Sequence, residues 1–179
     1  MERAGRVVED DWFGLTLAND FDLRELGLLY YVAASSERLG DALKRLDRYE
    51  RIANEALDLR IVKGPGGLVG LCYKGVPRHL DRHLMESFAV AIVRLCRQLA
   101  GRKVVPLSES FVHRRADDRK IQQLLSCEAN FDAPIDEMRF EVKLNLSERT
   151  FARRLAAEGL SFGEILDHMR CDLAIRYLK

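Results

Sequence analysis

Arg149, Arg153 and Arg154 are the residues of this chain best suited by type and spacing to act on another molecule. Arg149 and Arg153 are four positions apart, so on a helix their side chains rise from one face, with Thr150 beside them. A short helix carrying two forked donors on one face fits the major groove of DNA, where arginine bonds guanine bidentately. Ser147 is a good N-cap for that helix, placed where its hydroxyl can satisfy an orphan amide. The plain alternative is a solvated amphipathic helix with ordinary surface arginines, and composition alone favours it.

Other residues offer weaker chemistry. His79 and His83 are four apart and could supply two metal ligands, but no third ligand stands at a suitable spacing, so no metal is expected. His113 ends a strand candidate and reads as a satisfied structural histidine rather than the lining of an effector pocket. Tyr30 and Tyr31 could present hydroxyls to a ligand, although helical spacing puts Tyr30 in the core. The run Gly64-Pro-Gly-Gly67 lacks a phosphate-loop lysine and opens no helix, so it is a turn. No serine, cysteine or carboxylate pair has a catalytic context. Neither an enzyme nor a cofactor is expected.

Composition narrows the class further. The 179 residues carry 29 Lys and Arg against 28 Asp and Glu, a net charge of +1, so any nucleic-acid surface is local rather than global. A hydrophobic content of 47% is ample for a packed core. Cys72, Cys96, Cys127 and Cys171 form no Cys-x-x-Cys pair and read as reduced thiols of a cytoplasmic protein. Met1 to Asp11 is charged and unlike a signal peptide, and no apolar run is long enough to span a membrane.

The elements that must position these residues follow from periodicity. In the last third, Phe151 and Leu155 share a face behind the Ser147 cap, and Gly159 stops that helix. Ser161-Phe-Gly-Glu164 is a capping box opening a second helix, with Phe162, Ile165, Leu166, Met169, Leu173 and Tyr177 as its stripe. Upstream, Met138, Phe140, Val142 and Leu144 alternate with Arg139, Glu141 and Lys143. That pattern predicts a strand from Met138 to Leu144 with no helix immediately before Ser147.

Earlier in the chain, Met1 to Trp12 looks like the tail of a helix. Leu23, Leu26, Tyr30 and Ala33 predict a helix over 22–34, and Ser35 or Ser36 caps another reaching about Ala53. Leu57, Leu59 and Ile61 predict a strand, paired through the glycine turn with a return strand over Leu68 to Tyr73. Pro77 introduces the longest helix, with Leu80, Leu84, Phe88, Ile92, Leu95 and Leu99 as its inward face and Gly101 as its stop. A short strand at Glu109 to His113, a helix at Asp117 to Ser126 and two further strands complete the series. The expected fold class is α+β, an antiparallel sheet with packed helices followed by a small helical segment.

Two stretches carry a resemblance to a known family. Leu144-Asn-Leu-Ser-Glu-Arg-Thr-Phe-Ala-Arg-Arg-Leu-Ala-Ala-Glu-Gly-Leu-Ser-Phe162, continued by Leu166-Asp-His-Met-Arg170 and Leu173-Ala-Ile-Arg-Tyr-Leu178, closely resembles transcriptional regulators of the arabinose-operon activator (AraC/XylS) family. Phe13-Gly-Leu15, Ser36-Glu-Arg-Leu-Gly-Asp-Ala-Leu-Lys-Arg-Leu-Asp-Arg-Tyr49, Phe111-Val-His113 and Asn130-Phe-Asp-Ala-Pro-Ile-Asp-Glu-Met-Arg-Phe140 are similar, more loosely, to the effector-binding domain of one branch of it, which includes regulators of amino-acid catabolism.

The resemblance implies an effector-binding domain over 1–144 and, over 145–179, a partial helix-turn-helix segment holding the first recognition helix and the linker helix. It implies that Arg149 and Arg153 face base edges, that Arg154 and Thr150 contact backbone or flanking positions, and that Ser147 sits near a phosphate. Ala152 departs from the larger polar residue common at its position. The implied partners are DNA and a small effector such as an amino acid or related metabolite, and a homodimer is compatible with it. The family's second helix-turn-helix and the upstream start of its sensor are not in this sequence, so a fragment of a longer regulator is expected. Such a fragment alone should bind DNA weakly, since two base contacts of about 1–3 kcal/mol each fall short of the roughly 4–10 kcal/mol that specific binding needs. The alternative expectation is a regulatory fragment that binds effector or a partner but not DNA.

Overall fold

The computed structural model describes residues 1–36, 39–53, 57–62, 68–73 and 82–140. In chain order the elements are α1 (Glu2–Val7), α2 (Phe13–Asp20), a 3-10 turn (Leu23–Leu26), α3 (Leu28–Ala34) and α4 (Leu39–Ala53). The hairpin strands β1 (Leu57–Val62) and β2 (Leu68–Tyr73) come next, then the long helix α5 (Arg82–Ala100). Strand β3 (Ser108–Ser110), α6 (Arg119–Leu125), β4 (Ala129–Asn130) and β5 (Asp136–Arg139) complete the described chain.

Helix α5 is the axis on which the rest is hung. Met85, Ala89, Val93 and Cys96, three or four positions apart, are its fully buried stripe. Leu84, Phe88 and Ile92, expected from the sequence to face the core, are only half-buried. Leu95 and Leu99, from the same expected face, are buried, so the expected face is inward along the carboxy-terminal end of α5 and half-covered before it. A helix apolar on so much of its circumference is packed on several sides, and α2, α3, α4 and α6 all contact it. Gly101, at φ +63°, ends α5 where a C-terminal glycine is expected.

Two arginines of α5 hold neighbouring helices by their ends. Arg94 donates to the carbonyls of Ala18 (2.5 Å) and Phe21 (2.9 Å) at the C-terminus of α2. Arg97 donates to Val104 (2.9 Å), Leu124 (2.9 Å) and Leu125 (2.8 Å), closing the C-terminus of α6 onto α5. Orphan carbonyls at helix ends need such donors. Gly14 lets α2 come against α5, because a Cβ there would lie 2.0 Å from the His83 carbonyl oxygen.

The helix expected over 22–34 is two pieces. Gly27 takes φ +59°, a value open to glycine, and separates the 3-10 turn from α3. In the stretch Met1 to Trp12 the helix is α1, which ends at Val7, and a separate helix, α2, begins at Phe13.

The sheet runs β1-β2-β5-β3-β4 and is mixed, not wholly antiparallel as expected from the sequence. β1 pairs antiparallel with β2 from Leu57↔Tyr73 to Val62↔Leu68, which is the expected hairpin. β5 lies antiparallel to both β2 and β3, with Arg139 opposite Leu68 on one side and Ser108 on the other. β3 and β4 are parallel, Glu109 opposite Ala129. The cause is α6: a helix between two neighbouring strands returns the chain to the same end of the sheet, so they run the same way.

The strand predicted over Met138 to Leu144 begins earlier, at Asp136, and ends at Arg139; Phe140 is buried but outside it. The remainder of that stretch and the segment 145–179 lie outside the described residues. Among the described residues no helix is long and apolar enough to cross a membrane.

Candidate functional site

A pocket opens where α5 faces α3, α4 and β1. Phe88, Ala91, Ile92 and Leu95 of α5 form one wall. Leu26, at the end of the 3-10 turn, and Leu29 of α3 form the second, and Leu59 of β1 closes the base. Leu46 and Glu50 come from α4, one turn apart and so on one face. The cavity is small, about 70 Å³, and part of it is open to solvent, whereas small-molecule sites usually hold about 300–1,000 Å³. The half-burial of Phe88 and Ile92 is thereby explained. They line this pocket as well as packing against the core.

Among the described residues of this lining Glu50 carries the charge, and it is buried. It stands in the last turn of α4, which ends at Ala53. The helix dipole there favours positive charge.

A second polar cluster lies at the amino-terminal end of α5. Arg115, in the loop after β3, donates to both carboxylate oxygens of Glu86, from Nε to Oε1 and from Nη2 to Oε2 at 2.7 Å. The same guanidinium donates to the Asp11 carboxylate (2.9 Å) and the Asp11 carbonyl (2.8 Å), and lies 3.7 Å from the centre of the Trp12 ring. Arg82 adds a 2.6 Å bond to the other oxygen of Asp11. His113 Nε2 is 2.8 Å from Glu86 Oε1 and must be the donor, since an ionised carboxylate only accepts.

Burial alone would raise the Glu86 pKa. The bonds and charges of Arg115 and His113 outweigh it and hold the carboxyl below the usual carboxylate range. This cluster is a junction between the α1–α2 turn, α5 and the β3–α6 loop. It has the form of a structural clamp, with its charges matched and its space filled.

Glu109 of β3 is the opposite case. It is fully buried, neither oxygen has a hydrogen-bond partner among the described residues, and it faces Asp136 and Glu137 of β5. Burial, reinforced by those two negative groups, pushes its carboxyl well above the ordinary value. The Asp136 carboxylate instead accepts from the Val112 amide at 2.8 Å.

The residues singled out from the sequence divide as follows. His113 is buried and bonded to Glu86, a structural histidine. Tyr30 is core, its hydroxyl accepting from Gln98 at 2.8 Å. His83 is buried, with Nδ1 accepting from the Gly14 amide at 3.4 Å. His79 and the glycine run 64–67 lie outside the described residues, as do Ser147, Arg149, Thr150, Arg153 and Arg154. Among the described residues, no group of three or more histidine, cysteine or acidic side chains could hold a metal. Cys96 is a free, buried thiol that burial pushes up to about 12. Cys127 is free and half-buried, raised to about 11 by the same cause. Neither has the lowered pKa of a nucleophile.

Sequence reasoning passed over both Glu50 and Glu86. Glu50 follows Leu46 by one turn on a helix face otherwise apolar, which was a usable signal. Glu86 gave none, because its partners stand 27 and 29 positions away.

Comparison with known proteins places this arrangement. The family model described as the arabinose-binding domain of AraC transcription regulators, N-terminal, matches residues 1–145. No curated protein matches the chain. Among solved structures, the transcriptional regulator CdpR from Pseudomonas aeruginosa is similar in fold, with a TM-score of 0.62 at 15% sequence identity, over 92% of this chain and 73% of that one. Both the family and the structural neighbour are transcription regulators rather than enzymes. Because the matched region is most of the sequence, this chain belongs to the family of amino-terminal domains of AraC-type transcription regulators.

Proposed function

We propose that residues 1–144 are an effector-binding domain that senses a small molecule in the pocket between α5 and α4, and that 145–179 form a partial AraC-type helix-turn-helix segment reporting its occupancy to DNA in the cytoplasm. The observation that carries this reading is the pocket: eight apolar side chains and one buried carboxylate around a part-open void, in a domain whose family is named for ligand binding. The lining also argues about the ligand. A free sugar would bring several hydroxyls against walls that, among the described residues, offer one polar side chain, and each unpaired hydroxyl costs about 1–3 kcal/mol. An amino acid or related metabolite with an apolar body fits better than arabinose.

In the carboxy-terminal segment, Arg149 and Arg153 are the base-facing residues, Arg154 and Thr150 contact backbone or flanking positions, and Ser147 caps the helix near a phosphate. A ligand that binds the folded domain stabilises it by mass action, about 2.7 kcal/mol at a hundredfold excess over its Kd. A thermal-unfolding screen of amino acids, their metabolites and sugars should therefore find a saturable stabiliser, and a screen with none would count against the sensor. For DNA, Arg153→Ala should flatten sequence preference, whereas Arg154→Ala should lower affinity evenly across sequences. The near-neutral charge favours a second reading, in which the chain binds effector or a partner subunit without DNA. DNA affinity indifferent to both substitutions would select it.

A further inference from the structure

We infer that the seam between β3 and β5 is a proton-linked joint, which stays closed while Glu109 carries a proton and opens more readily as that proton leaves. Glu109 lies opposite Met138 across the seam, and Asp136 stands two positions along β5, so both carboxyls are on the inward face. Each is almost wholly buried. Asp136 accepts from the Val112 amide at 2.8 Å, whereas neither Glu109 oxygen has a partner among the described residues. Ionised in the closed seam, Glu109 is a buried charge without a bond and with a second acid beside it. Once the strands part, water solvates it. Opening and proton loss therefore favour each other.

The groups around Glu109 do not relieve that charge. On β5 they are Asp136 and Glu137, and Arg139 is bonded to Glu137 at 3.3 Å. On the chain between α6 and β4 they are Glu128 and the Cys127 thiol. On α5, Arg97 acts on that thiol but gives its bonds to the carbonyls of Val104, Leu124 and Leu125. Glu86 is matched by Arg115 and His113. The seam is also short. β3 has three residues, β4 two and β5 four, and openings smaller than global unfolding occur where so few bonds must break. The chain beyond Arg139 leads on toward 145–179, so the joint would make any report to DNA depend on pH. That link rests on the sensor reading above, whereas the joint itself is tested without DNA or effector, and its failure would leave the sensor standing.

The test is native-state hydrogen exchange on the 179-residue chain, followed by NMR. It spans a series of pH values above about 4.3, the unfolded pKa of glutamate, and urea concentrations below the unfolding transition. The reporters are the Leu107 amide, which donates to the Arg139 carbonyl at 2.7 Å, and the Val112 amide, which donates to Asp136. Both should exchange with little dependence on urea, because a local opening exposes little surface. Their rates should rise about a hundredfold per pH unit, about tenfold from base catalysis and about tenfold from the linked proton, until the closed-state carboxyl has ionised. In Glu109→Gln the rise should fall to about tenfold per unit. The inference is overturned if both amides share the urea dependence of Ala89 and Val93 in α5, since only global unfolding would then expose them. It is equally overturned if the parent chain rises only about tenfold per unit, or if the steeper rise survives Glu109→Gln. Should Glu109→Gln fail to fold, Asp136→Asn decides. It keeps an acceptor for Val112 and removes one negative neighbour, so the steep rise should end at a lower pH, and an unchanged end would sink the joint.

Discussion

Glu86 and Glu109 are equally hidden from solvent, yet their carboxyls move in opposite directions. Glu86 is met by Arg115 and His113 and stays ionised below the usual range. Glu109 has two acidic neighbours, Asp136 and Glu137, no hydrogen-bond partner among the described residues, and a proton held far above that range. What burial does to an acid is thus decided by what is buried with it. The junction at the amino-terminal end of α5 is a set of paired charges, whereas the middle of β3 holds an acid that burial and its acidic neighbours push toward the neutral form.

The largest break in that contrast should come from Arg115→Met. It leaves the buried Glu86 carboxylate with His113 but no cation and takes one of two arginines from Asp11, and breaking such a buried pair costs about 3–5 kcal/mol. Urea unfolding at neutral pH would measure it. Glu86→Gln added to Arg115→Met should return part of the loss, and a double variant no more stable than the single would show that the pairing of charges is not what matters.

A smaller effect, but a sharper one, concerns pH. For Glu86, whose folded pKa is depressed, the stabilising contribution is present above its unfolded value of about 4.3 and is lost as pH falls through the folded pKa. For Glu109, whose folded pKa is raised, the contribution is complete below about 4.3 and is lost as pH rises through the folded pKa. Glu109→Gln mimics the neutral acid and should gain on the parent chain as pH rises above about 4.3, until the folded carboxyl has ionised. A constant difference between the two across that interval would place the proton elsewhere.

The smallest expected effect is that of Trp12→Leu, which keeps an apolar cover over Arg115 but removes the ring face. Cation–π contacts of this kind are worth about 0.5–2 kcal/mol. The loss should shrink toward zero when Arg115 is already Met. An equal loss in both backgrounds would assign it to packing alone.

How much of this was legible in the sequence depends on the range of the interaction. The β1–β2 hairpin and the stop of α5 at Gly101 are local, written in alternation and in one glycine, and both stand as expected. The break at Gly27 was equally local, but the apolar spacing of Leu23, Leu26, Tyr30 and Ala33 ran straight through it. Periodicity found α5 with its buried Leu95 and Leu99 but missed the fully buried Met85, Ala89 and Val93, because a helix packed on several sides has no single stripe to read. The residues it took for core, Phe88 and Ile92, line the pocket as well.

Alternation also carried an unused message about Glu109. It shares a period of two with Phe111 and His113, and all three are buried. The junction lay beyond reach altogether, since Asp11 and Arg115 are 104 positions apart. The effector-binding domain was recognised by its resemblance, and the family match over 1–145 agrees with that. The pocket's carboxylate had to be found in three dimensions.

The order of strands has a consequence for how the chain comes into being. Among the described strands β5 is the last in sequence and the middle one in space, hydrogen-bonded to β2 on one side and β3 on the other. A ribosome delivers β1 and β2, and then β3 and β4, as two separate half-sheets whose inner edges stay open until residues 136–139 emerge. Open edges pair readily with strands from other chains. The nascent domain is therefore most exposed to aggregation just before its final strand arrives, and everything translated after Arg139 begins on a sheet that has only then closed.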